Sequence, residues 1–289
     1  MKRPNWVNIL RRAGLAGRKA ILQNYTDASR HKVMGKGMGG DMTLRIDKVS
    51  ENAIFRSLSS DLGKSFVFLS EEVGEVSKPD GADKLPVIVC DPLDGSHNAE
   101  VGIPFFSLAL SVIETDNQEG FNRSFGRITS ALITSIKTQD EYYAIKGGGA
   151  FHNRKKIKPA ISETDRIQTL LIESSDVEYL REKILVNLSK EDINKTRLMG
   201  SAAMSYCMLA TGAADALIFA QPGGARTIDS PAGYLIAREA GNVFSNLTEF
   251  SQGRAVEDLE VGFASRANIL AASNSKILSS LEGKLGSLP

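Results

Sequence analysis

Residues 87–100, VIVCDPLDGSHNAE, place two aspartates in a tight turn directly after four apolar residues. Asp91 and Asp94 stand three residues apart, and their like charges repel unless something positive lies between them. Asp, Pro and Gly are also the usual residues of solvated turns, so a plain turn is one interpretation. The other is a hard-cation site, which needs several oxygen ligands converging on one point. This stretch alone leaves both interpretations open.

Further acids stand at the ends of apolar runs or at helix starts elsewhere in the chain. They are Glu71 and Glu72 after SFVFLS, Asp229 before SPAGYLIAREAG, and Asp47 within RID. Mg²⁺ takes hard oxygen ligands and is usually held by few carboxylates together with substrate phosphate and water. No histidine or cysteine cluster accompanies the acids in the sequence, so zinc is not expected. The acids together favour a magnesium site.

Composition limits the classes of partner. The chain has 289 residues, of which 42% are hydrophobic and 24% charged, and its formal net charge is +1. This length allows one large domain or two closely packed lobes. A nearly neutral chain lacks the charge that attracts nucleic acid or anionic membrane, so we expect neither partner. Cys90 and Cys207 lie in apolar surroundings and indicate buried thiols in a reducing compartment, which predicts a cytoplasmic protein.

Two segments have some features of export or membrane signals. The start, MKRPNWVNILRRAG, is basic but has no continuous apolar core and no cleavage site, so no signal peptide is expected. Residues 202–220 are long and apolar, but Thr211, Gly212 and Asp215 interrupt them. A helix ending near Gly212 and then a buried strand, ALIFA, fit this run better than a membrane span.

Apolar spacing predicts the elements that must position the acids. Helices are predicted over residues 7–21 and 46–62, the second ending at Gly63. SFVFLSEE and VIVCD are short apolar runs ending in acids, typical of buried strands whose carboxyl ends carry the carboxylates.

The rest of the chain is first rich in strands and then alternates. FFSLALSVIE, RITSALITSI and EYYAIKG predict an antiparallel meander with turns at DNQEG and KTQD, and GGGAFHNRKKI predicts a hairpin. TLLIESS and ALIFA predict later strands, and residues 177–188, 200–212 and 230–241 predict helices. The last helix has Asp229 or Ser230 as N-cap, Pro231 at N1 and Gly241 at C′. The class is mixed α/β in several layers.

Four motifs then occur in the order of a known family. DPLDGS at 91–96 resembles a DP-[ILM]-DG-[ST] signature, and SEE at 70–72 a GEE strand end, with Ser where Gly is usual. GSAA at 200–203 is similar to a G-[ST]-AA helix start, and DSPAGYLIAREAG to a WD-xAAG…EAGG element. These motifs resemble those of the inositol monophosphatase and fructose-1,6-bisphosphatase superfamily, over roughly residues 7–245. Residues 41–47 also resemble the stretch with the family's aspartate behind the metal ligands.

The resemblance implies a fold and an assembly. The fold is a layered αβαβα sugar-phosphatase fold with a mostly antiparallel N-terminal sheet and a smaller C-terminal sheet. It forms a single domain over residues 1–289, with an N-terminal lobe of about 1–150 that holds the metal site and a C-terminal lobe of about 151–289 on the substrate side. The resemblance further implies a homodimer.

Metal-binding roles carry over position by position. Glu71, Asp91 and the Leu93 carbonyl would hold a first Mg²⁺, and Asp91, Asp94 and Asp229 a second. A weaker third ion would contact Glu71, giving two or three ions per active site, and Mn²⁺ is an alternative metal. Such ions lower the pKa of bound water and clamp the attacking and leaving oxygens.

Catalytic and substrate-binding roles carry over in the same way. Glu71, Asp47 and Ser96 would be catalytic; Ser96 replaces the more usual Thr, keeps the hydroxyl and would orient the attacking water with Asp47. Gly95 and Ser96 would offer backbone N–H groups to the phosphate, as turn nests do. The substrate-binding set is Asp94, Gly95, Ser96, Gly200, Ser201, Ala202 and Arg226.

Departures from the family pattern bear on the substrate. Members specialised for inositol carry an acid before the second-metal aspartate, but no Glu or Asp occurs between Ala216 and Asp229, and Ile228 replaces the usual Trp. ARTID instead resembles the LRxxD element of archaeal members with both activities, which places Arg226 near the substrate. The implied function is a Mg²⁺-dependent phosphomonoesterase that hydrolyses a small phosphorylated polyol or sugar, inositol-1-phosphate and/or fructose-1,6-bisphosphate, by metal-activated water attack.

Other functions stay open. A 3′-phosphoadenosine 5′-phosphate phosphatase uses the same chemistry, although the sequence has no nucleotide-specific feature. A non-catalytic scaffold of the same fold would be favoured by loss of a metal ligand, and none is lost. A phosphatase with an aspartyl nucleophile typically has D-x-D-x-T, whereas the acids here are spaced D-x-x-D. GKGMGGD at 35–41 lacks a preceding strand and a GK[ST], so it predicts a mobile flap, not a nucleotide loop.

Overall fold

The computed structural model describes residues 4–26, 31–36, 42–76, 85–114, 123–158, 166–249 and 253–289. The turn predicted at DNQEG and most of the predicted flap, residues 37–41, lie outside these ranges. The helices are α1 (Trp6–Asn24), α2 (Arg45–Leu62), α3 (Ser96–Val101), α4 (Ala202–Ala210), α5 (Pro231–Glu239) and α6 (Ser275–Leu285). The strands are β1 (Val33–Lys36), β2 (Met42–Leu44), β3 (Val67–Ser70), β4 (Gly74–Val76), β5 (Val87–Asp94), β6 (Ser107–Ile113), β7 (Ile128–Ser135), β8 (Glu141–Ile145), β9 (Gly149–His152), β10 (Lys155–Lys156), β11 (Ile167–Glu173), β12 (Ile193–Arg197), β13 (Ala216–Phe219), β14 (Ala225–Arg226), β15 (Val243–Asn246), β16 (Arg266–Ala267) and β17 (Ile269–Ala272).

An eight-stranded sheet forms the N-terminal part, in the order β10-β9-β8-β7-β6-β5-β3-β4. Its described pairs are antiparallel except for β3 and β5, which run parallel. Helices α1 and α2 cover one face, where Leu10 and Ile54 join a buried cluster with Phe68. The two helices approach closely at Gly17, where a Cβ would lie 2.7 Å from a side-chain carbon of Ile54. The predicted mostly antiparallel sheet is confirmed.

A five-stranded sheet forms the C-terminal part, in the order β12-β11-β13-β17-β15. Strand β11 runs parallel to β12 and β13, whereas β17 runs antiparallel to β13 and β15. Helices α4 and α5 pack between the sheets, where Tyr206 and Tyr234 share a core with Ile133 and Leu217. Ile277 of α6 packs on the outer face of the smaller sheet. The layers therefore follow the predicted αβαβα order.

The sequence prediction differs from the structure in the second half of the chain. The helix expected over residues 177–188 is α-helical only at Val177–Tyr179 and continues as a π turn, Leu180–Ile184, and a 3₁₀ turn, Leu185–Asn187. This path buries Leu180 and Ile184 against the sheet and leaves Val186 exposed. Strands β12, β15 and β17 and helix α6 had not been predicted at all.

One buried cluster contains side chains from both sheets, for example Val89, Leu171 and Ile269. This shared core supports a single domain, and its division into lobes near residue 150 stays a prediction. In the part of the chain that the structure describes, no helix has the length and apolarity that crossing a bilayer requires. The apolar run 202–220 forms α4 followed by β13, as predicted.

Candidate active site

A cleft with a volume of about 860 Å³ opens where several strands end. Five acids from four segments line it. Glu71 follows β3, Asp91 and Asp94 lie in the last half of β5, Glu173 ends β11, and Asp229 ends the 3₁₀ turn after β14. The same cleft contains most residues of the predicted substrate set, namely Asp94, Gly95, Ser96, Gly200, Ala202 and Arg226. Ser201, the remaining member, is buried beside it.

The turn of DPLDGS is shaped by an irregularity in β5. The register with β6 shifts between Asp91 and Asp94, and Gly95 then takes a left-handed φ of 83°. A Cβ at Gly95 would lie 3.1 Å from the carbonyl oxygen of Gly200, so a larger residue here would be both crowded and strained. The Leu93 backbone N–H donates to Asp91 Oδ1 at 3.0 Å. Local backbone geometry thus carries two carboxylates into the cleft.

Asp94 is held by the beginning of α4. Its Oδ2 accepts hydrogen bonds from the hydroxyls of Ser201 and Ser107, the latter at 3.2 Å, and its carboxylate also accepts from the Ala202 and Ala203 N–H groups. Burial raises the pKa of Asp94, and these donors oppose the rise by stabilising its charged form. Asp94 therefore caps a helix from which it is more than one hundred residues distant in sequence.

Asp91 carries the strongest electrostatic conflict in the cleft. Burial raises its pKa well above the ordinary aspartate value, and the charges of Glu71, Asp94 and Asp229 raise it further. Four carboxylates, whose oxygen atoms are hard ligands, thus converge in the cleft. This donor set fits Mg²⁺ or Mn²⁺, because a divalent cation relieves the repulsion and prefers oxygen ligands.

Arg226 lies among the predicted metal ligands. Its Nη2 donates to Glu71 Oε1 at 2.7 Å, and its Nε donates to Asp229 Oδ2 at 3.2 Å. No three of the described acidic, histidine or cysteine side chains stand ready as a coordination shell. The guanidinium therefore lies between Glu71 and Asp229 and is hydrogen-bonded to one oxygen of each predicted metal ligand.

Asp47 and Ser96 are not hydrogen-bonded to each other in the described part of the chain. Asp47 is buried in the first turn of α2, where its Oδ2 accepts the Leu44 N–H at 2.6 Å. Its Oδ1 is buried without a hydrogen-bond partner among the described residues. Ser96 Oγ donates instead to the Leu93 carbonyl at 2.8 Å. That Ser96 orients the attacking water together with Asp47 stays a prediction.

Burial raises the pKa of Asp47 to about 8; the Leu44 hydrogen bond opposes this rise, and the charges of Glu72 and Glu51 reinforce it. A carboxyl with this pKa can hold a proton near neutral pH. Because Oδ1 has no described partner, it can serve as a donor when protonated and as an acceptor when ionised.

Comparison with known proteins identifies the group to which this site belongs. A sequence profile described as the inositol monophosphatase family matches residues 5–282. The chain belongs to the inositol monophosphatase family. As a member, it is a metal-dependent phosphoric monoester hydrolase.

Two curated relatives and one solved structure are similar to this chain over most of its length. A fructose-1,6-bisphosphatase/inositol-1-monophosphatase of Methanothermobacter thermautotrophicus is 30% identical over 256 residues, covering 87% of each chain. A bifunctional NADP phosphatase/NAD kinase of Methanococcus maripaludis is 31% identical over 267 residues; the match covers 89% of this chain but only 45% of that protein. A Pyrococcus horikoshii structure, described as hypothetical with similarities for inositol-1 monophosphatase, has a TM-score of 0.74 at 25% identity and covers 96% of this chain and 97% of its own.

Some residues of this family member's cleft were missed by the sequence analysis. Glu173 follows the apolar run TLLI, just as Glu71 and Asp91 follow theirs, so the same strand-end signal could have found it. Asn98 and Ser107 had no comparable signal. Asn98 donates to the carbonyls of Phe105 and Met199, both at 2.8 Å, contacts that depend on the tertiary structure.

Proposed function

We propose that this phosphatase hydrolyses small phosphorylated polyols or sugars, with inositol-1-phosphate and fructose-1,6-bisphosphate as the substrates to test first. The observation that carries the proposal is the convergence of Glu71, Asp91, Asp94 and Asp229 on one cleft. Relatives named for both activities, including that of Methanothermobacter thermautotrophicus, support the choice of substrates.

The metal requirement is proposed in more detail. Glu71, Asp91 and the Leu93 carbonyl would hold one Mg²⁺, and Asp91, Asp94 and Asp229 a second; a third ion would bind weakly at Glu71, and Mn²⁺ would substitute. When bound, such ions lower the pKa of water and stabilise the charge that develops on phosphate. Crowding of the four carboxylates supports these assignments, because their mutual repulsion is unfavourable when no metal ion is bound.

The remaining steps belong to side chains and backbone of the chain itself. The N–H groups of Gly95 and Ser96 would face the phosphate from the left-handed turn. The Ser96 hydroxyl would orient the attacking water, with Asp47 Oδ1 as its partner, and Glu71 would accept a hydrogen bond from the same water. The unpartnered Oδ1 of Asp47 supports this proton route.

The proposal is tested with a substrate panel in Mg²⁺: inositol-1-phosphate, fructose-1,6-bisphosphate, 3′-phosphoadenosine 5′-phosphate and NADP. We expect phosphate release from at least one of the first two and loss of that release with excess chelator. Preferential turnover of 3′-phosphoadenosine 5′-phosphate or NADP would replace the polyol proposal with a nucleotide phosphatase. Lack of turnover on all four, with folded protein, would support the non-catalytic scaffold.

Arg226 is proposed to help choose the substrate. Among the described residues that line the cleft, it is the one arginine or lysine. A guanidinium freed from Glu71 and Asp229 by bound cations could pair with a distal phosphate through two N–H groups.

Replacing Arg226 by alanine is expected to lower kcat/KM for fructose-1,6-bisphosphate by about 10–100-fold, since a charged hydrogen bond contributes about 1.5–3 kcal/mol. The loss for inositol-1-phosphate should be smaller. Steady-state kinetics of both substrates at one Mg²⁺ concentration measure the difference, with Arg181→Ala on an exposed surface as the matched control. Equal losses on both substrates would show that Arg226 acts only through its ion pairs with Glu71 and Asp229 and does not contact the distal phosphate.

Assembly and location are proposed on separate observations. A homodimer is supported by the edge strand β12 and by the exposed apolar side chains Val177, Val186 and Leu198 before and after it in sequence. Sedimentation equilibrium that gives a monomer mass would reject it. A cytoplasmic location is supported by the free, buried thiols of Cys90 and Cys207, and recovery of the native protein outside the cytoplasm would reject that.

A further inference from the structure

Glu173 ends β11 as a buried carboxylate in the wall of the cleft, with an exposed fraction of 7%. Its Oε2 accepts the Gly200 backbone N–H at 3.0 Å, and its Oε1 accepts the Ser205 hydroxyl at 2.5 Å. The Met199 backbone N–H also donates to it. Two backbone donors of the segment that leads into α4, and one hydroxyl within α4, thus depend on one side chain.

The other side of that segment holds Asp94. The Ser201 hydroxyl and the first N–H groups of α4 donate to the Asp94 carboxylate. Gly200 has a left-handed φ of 71°, and its carbonyl lies against the Gly95 turn. Residues 199–201 are therefore a short connection with Glu173 on one side and a predicted metal ligand on the other.

A fixed position of residues 199–201 is needed for a fixed position of Asp94. Asn98 contributes by donating to the Met199 carbonyl at 2.8 Å, but it leaves the Met199 and Gly200 N–H groups to Glu173. Without this acceptor, the Met199 and Gly200 N–H groups would lose their hydrogen bonds to Glu173, and the turn would lose two of the contacts that fix it. A shift of the turn would move Ser201 and the start of α4 away from Asp94.

Burial gives a second reason to look for a functional role. It raises the pKa of Glu173 to about 7, with the charge of Asp94 adding to the rise and the hydrogen bonds opposing it. A folded-state pKa above the unfolded one means that the stability from this group is present at acidic pH and lost as pH rises through 7. Ionised Glu173 therefore lowers the stability of the folded protein near neutral pH, so a contribution to stability does not explain why a carboxylate stands at this position.

We propose that Glu173 is a positioning residue: it fixes residues 199–201 so that Asp94 keeps the orientation that metal binding and phosphate-ester hydrolysis require. This inference rests on the proposed function for its kinetic consequence. Its structural consequence, a Mg²⁺ affinity that depends on Glu173, does not require the substrate to be known.

The test uses Glu173→Gln, which preserves size but offers one oxygen acceptor where the carboxylate offers two. We expect Mg²⁺ affinity, measured by calorimetric titration, to weaken by about 10–100-fold, as for other residues that orient metal ligands. With Mg²⁺ saturating, kcat should fall by about 10–100-fold while KM for the organic substrate stays within about threefold. The unfolding temperature at pH 8 should be unchanged or slightly higher than that of wild type, because the variant has no charge to bury at this position.

Two further variants separate positioning from general structure. Glu182→Gln, at a half-exposed side chain, is the matched control and should behave as wild type. Ser205→Ala removes the Oε1 contact but leaves Gly200 bound to Oε2, so we expect less than about a threefold change in kcat. A variant Ser205→Ala as weak as Glu173→Gln would show that the contact within α4, not the 199–201 turn, is the important one.

The outcomes are decisive for the inference and for the proposed function separately. Wild-type Mg²⁺ affinity and kcat in Glu173→Gln would overturn the positioning role. A rise of KM alone would make Glu173 a substrate contact, and a kcat loss equal to the lost fraction of folded protein would make it purely structural. If wild type hydrolysed no panel substrate but Glu173→Gln still weakened Mg²⁺ binding, the proposed function would fail and the positioning role would stand.

Discussion

Asp91→Asn is expected to reduce turnover by at least about 10³-fold, the loss that corresponds to several kcal/mol of transition-state stabilisation by bound cations. Asp91 is the carboxylate proposed to be shared by two ions, and asparagine removes its charge while keeping its shape. The asparagine oxygen can still accept the Leu93 N–H, which lies 3.0 Å from Asp91 Oδ1 in wild type. The loss should therefore be chemical and not a failure to fold.

The stability of the same variant provides an independent check. Because burial and Glu71 raise the pKa of Asp91, its charged form disfavours the folded state at neutral pH, and the neutral amide removes that cost. In chelator, we expect the variant to unfold at a temperature equal to or above that of wild type. Added Mg²⁺ should raise the unfolding temperature of wild type but have little effect on the variant.

The matched control is Asp258→Asn, at the exposed last residue of the 3₁₀ turn Val256–Asp258, which should retain activity and the Mg²⁺ response. Phosphate release and differential scanning calorimetry, each with and without Mg²⁺, measure both effects. Wild-type turnover after exhaustive chelation would contradict the metal mechanism, and normal turnover by Asp91→Asn would remove Asp91 from it.

Ser96→Ala is expected to lower kcat by about 10²-fold with little change in KM, the lower end of the range for positioned proton-transfer groups. The hydroxyl is proposed to orient water, a role expressed mainly in the transition state. In the structure this hydroxyl donates to the Leu93 carbonyl, and the buried Oδ1 of Asp47 has no described partner. The proposal is that one water connects the two.

The conservative variant Ser96→Thr keeps the hydroxyl and should retain activity within about tenfold, which separates loss of the hydroxyl from disturbance of the turn. A double-mutant cycle with Asp47→Asn tests the shared water: the two losses should combine to less than their product. Multiplicative losses would show that the residues act independently. If KM rose and kcat held, Ser96 would be a ground-state contact.

Local features of the sequence account for much of the cleft. The acids Glu71, Asp91 and Glu173 each follow an apolar run, because a buried strand must end where the chain reaches solvent or a ligand. The same reasoning found two of them and passed over Glu173, for lack of a family motif at that position. Pro231 and Gly241 correctly delimited α5, where Gly241 has a φ of 100°.

Other features depend on contacts between distant segments. Arg226 was expected to face the substrate, yet its described hydrogen bonds reach Asp229 and Glu71, which is 155 residues away. Periodicity alone did not reveal β17, which lies between β13 and β15 in the smaller sheet. Burial in the assembled core determines which strands pair, and the sequence of a short apolar strand does not indicate its partner.

By itself, then, the sequence determined the longer helices and strands before residue 150, the layered class and which carboxylates stand at strand ends, because these follow from spacing, turn residues and local backbone preference. Only the tertiary structure decided that Asp94 caps α4, that Glu173 supports the turn beside it, and that Arg226 separates two acids. Those contacts join residues up to 155 positions apart, and their partners are selected by shape and charge across the packed sheets.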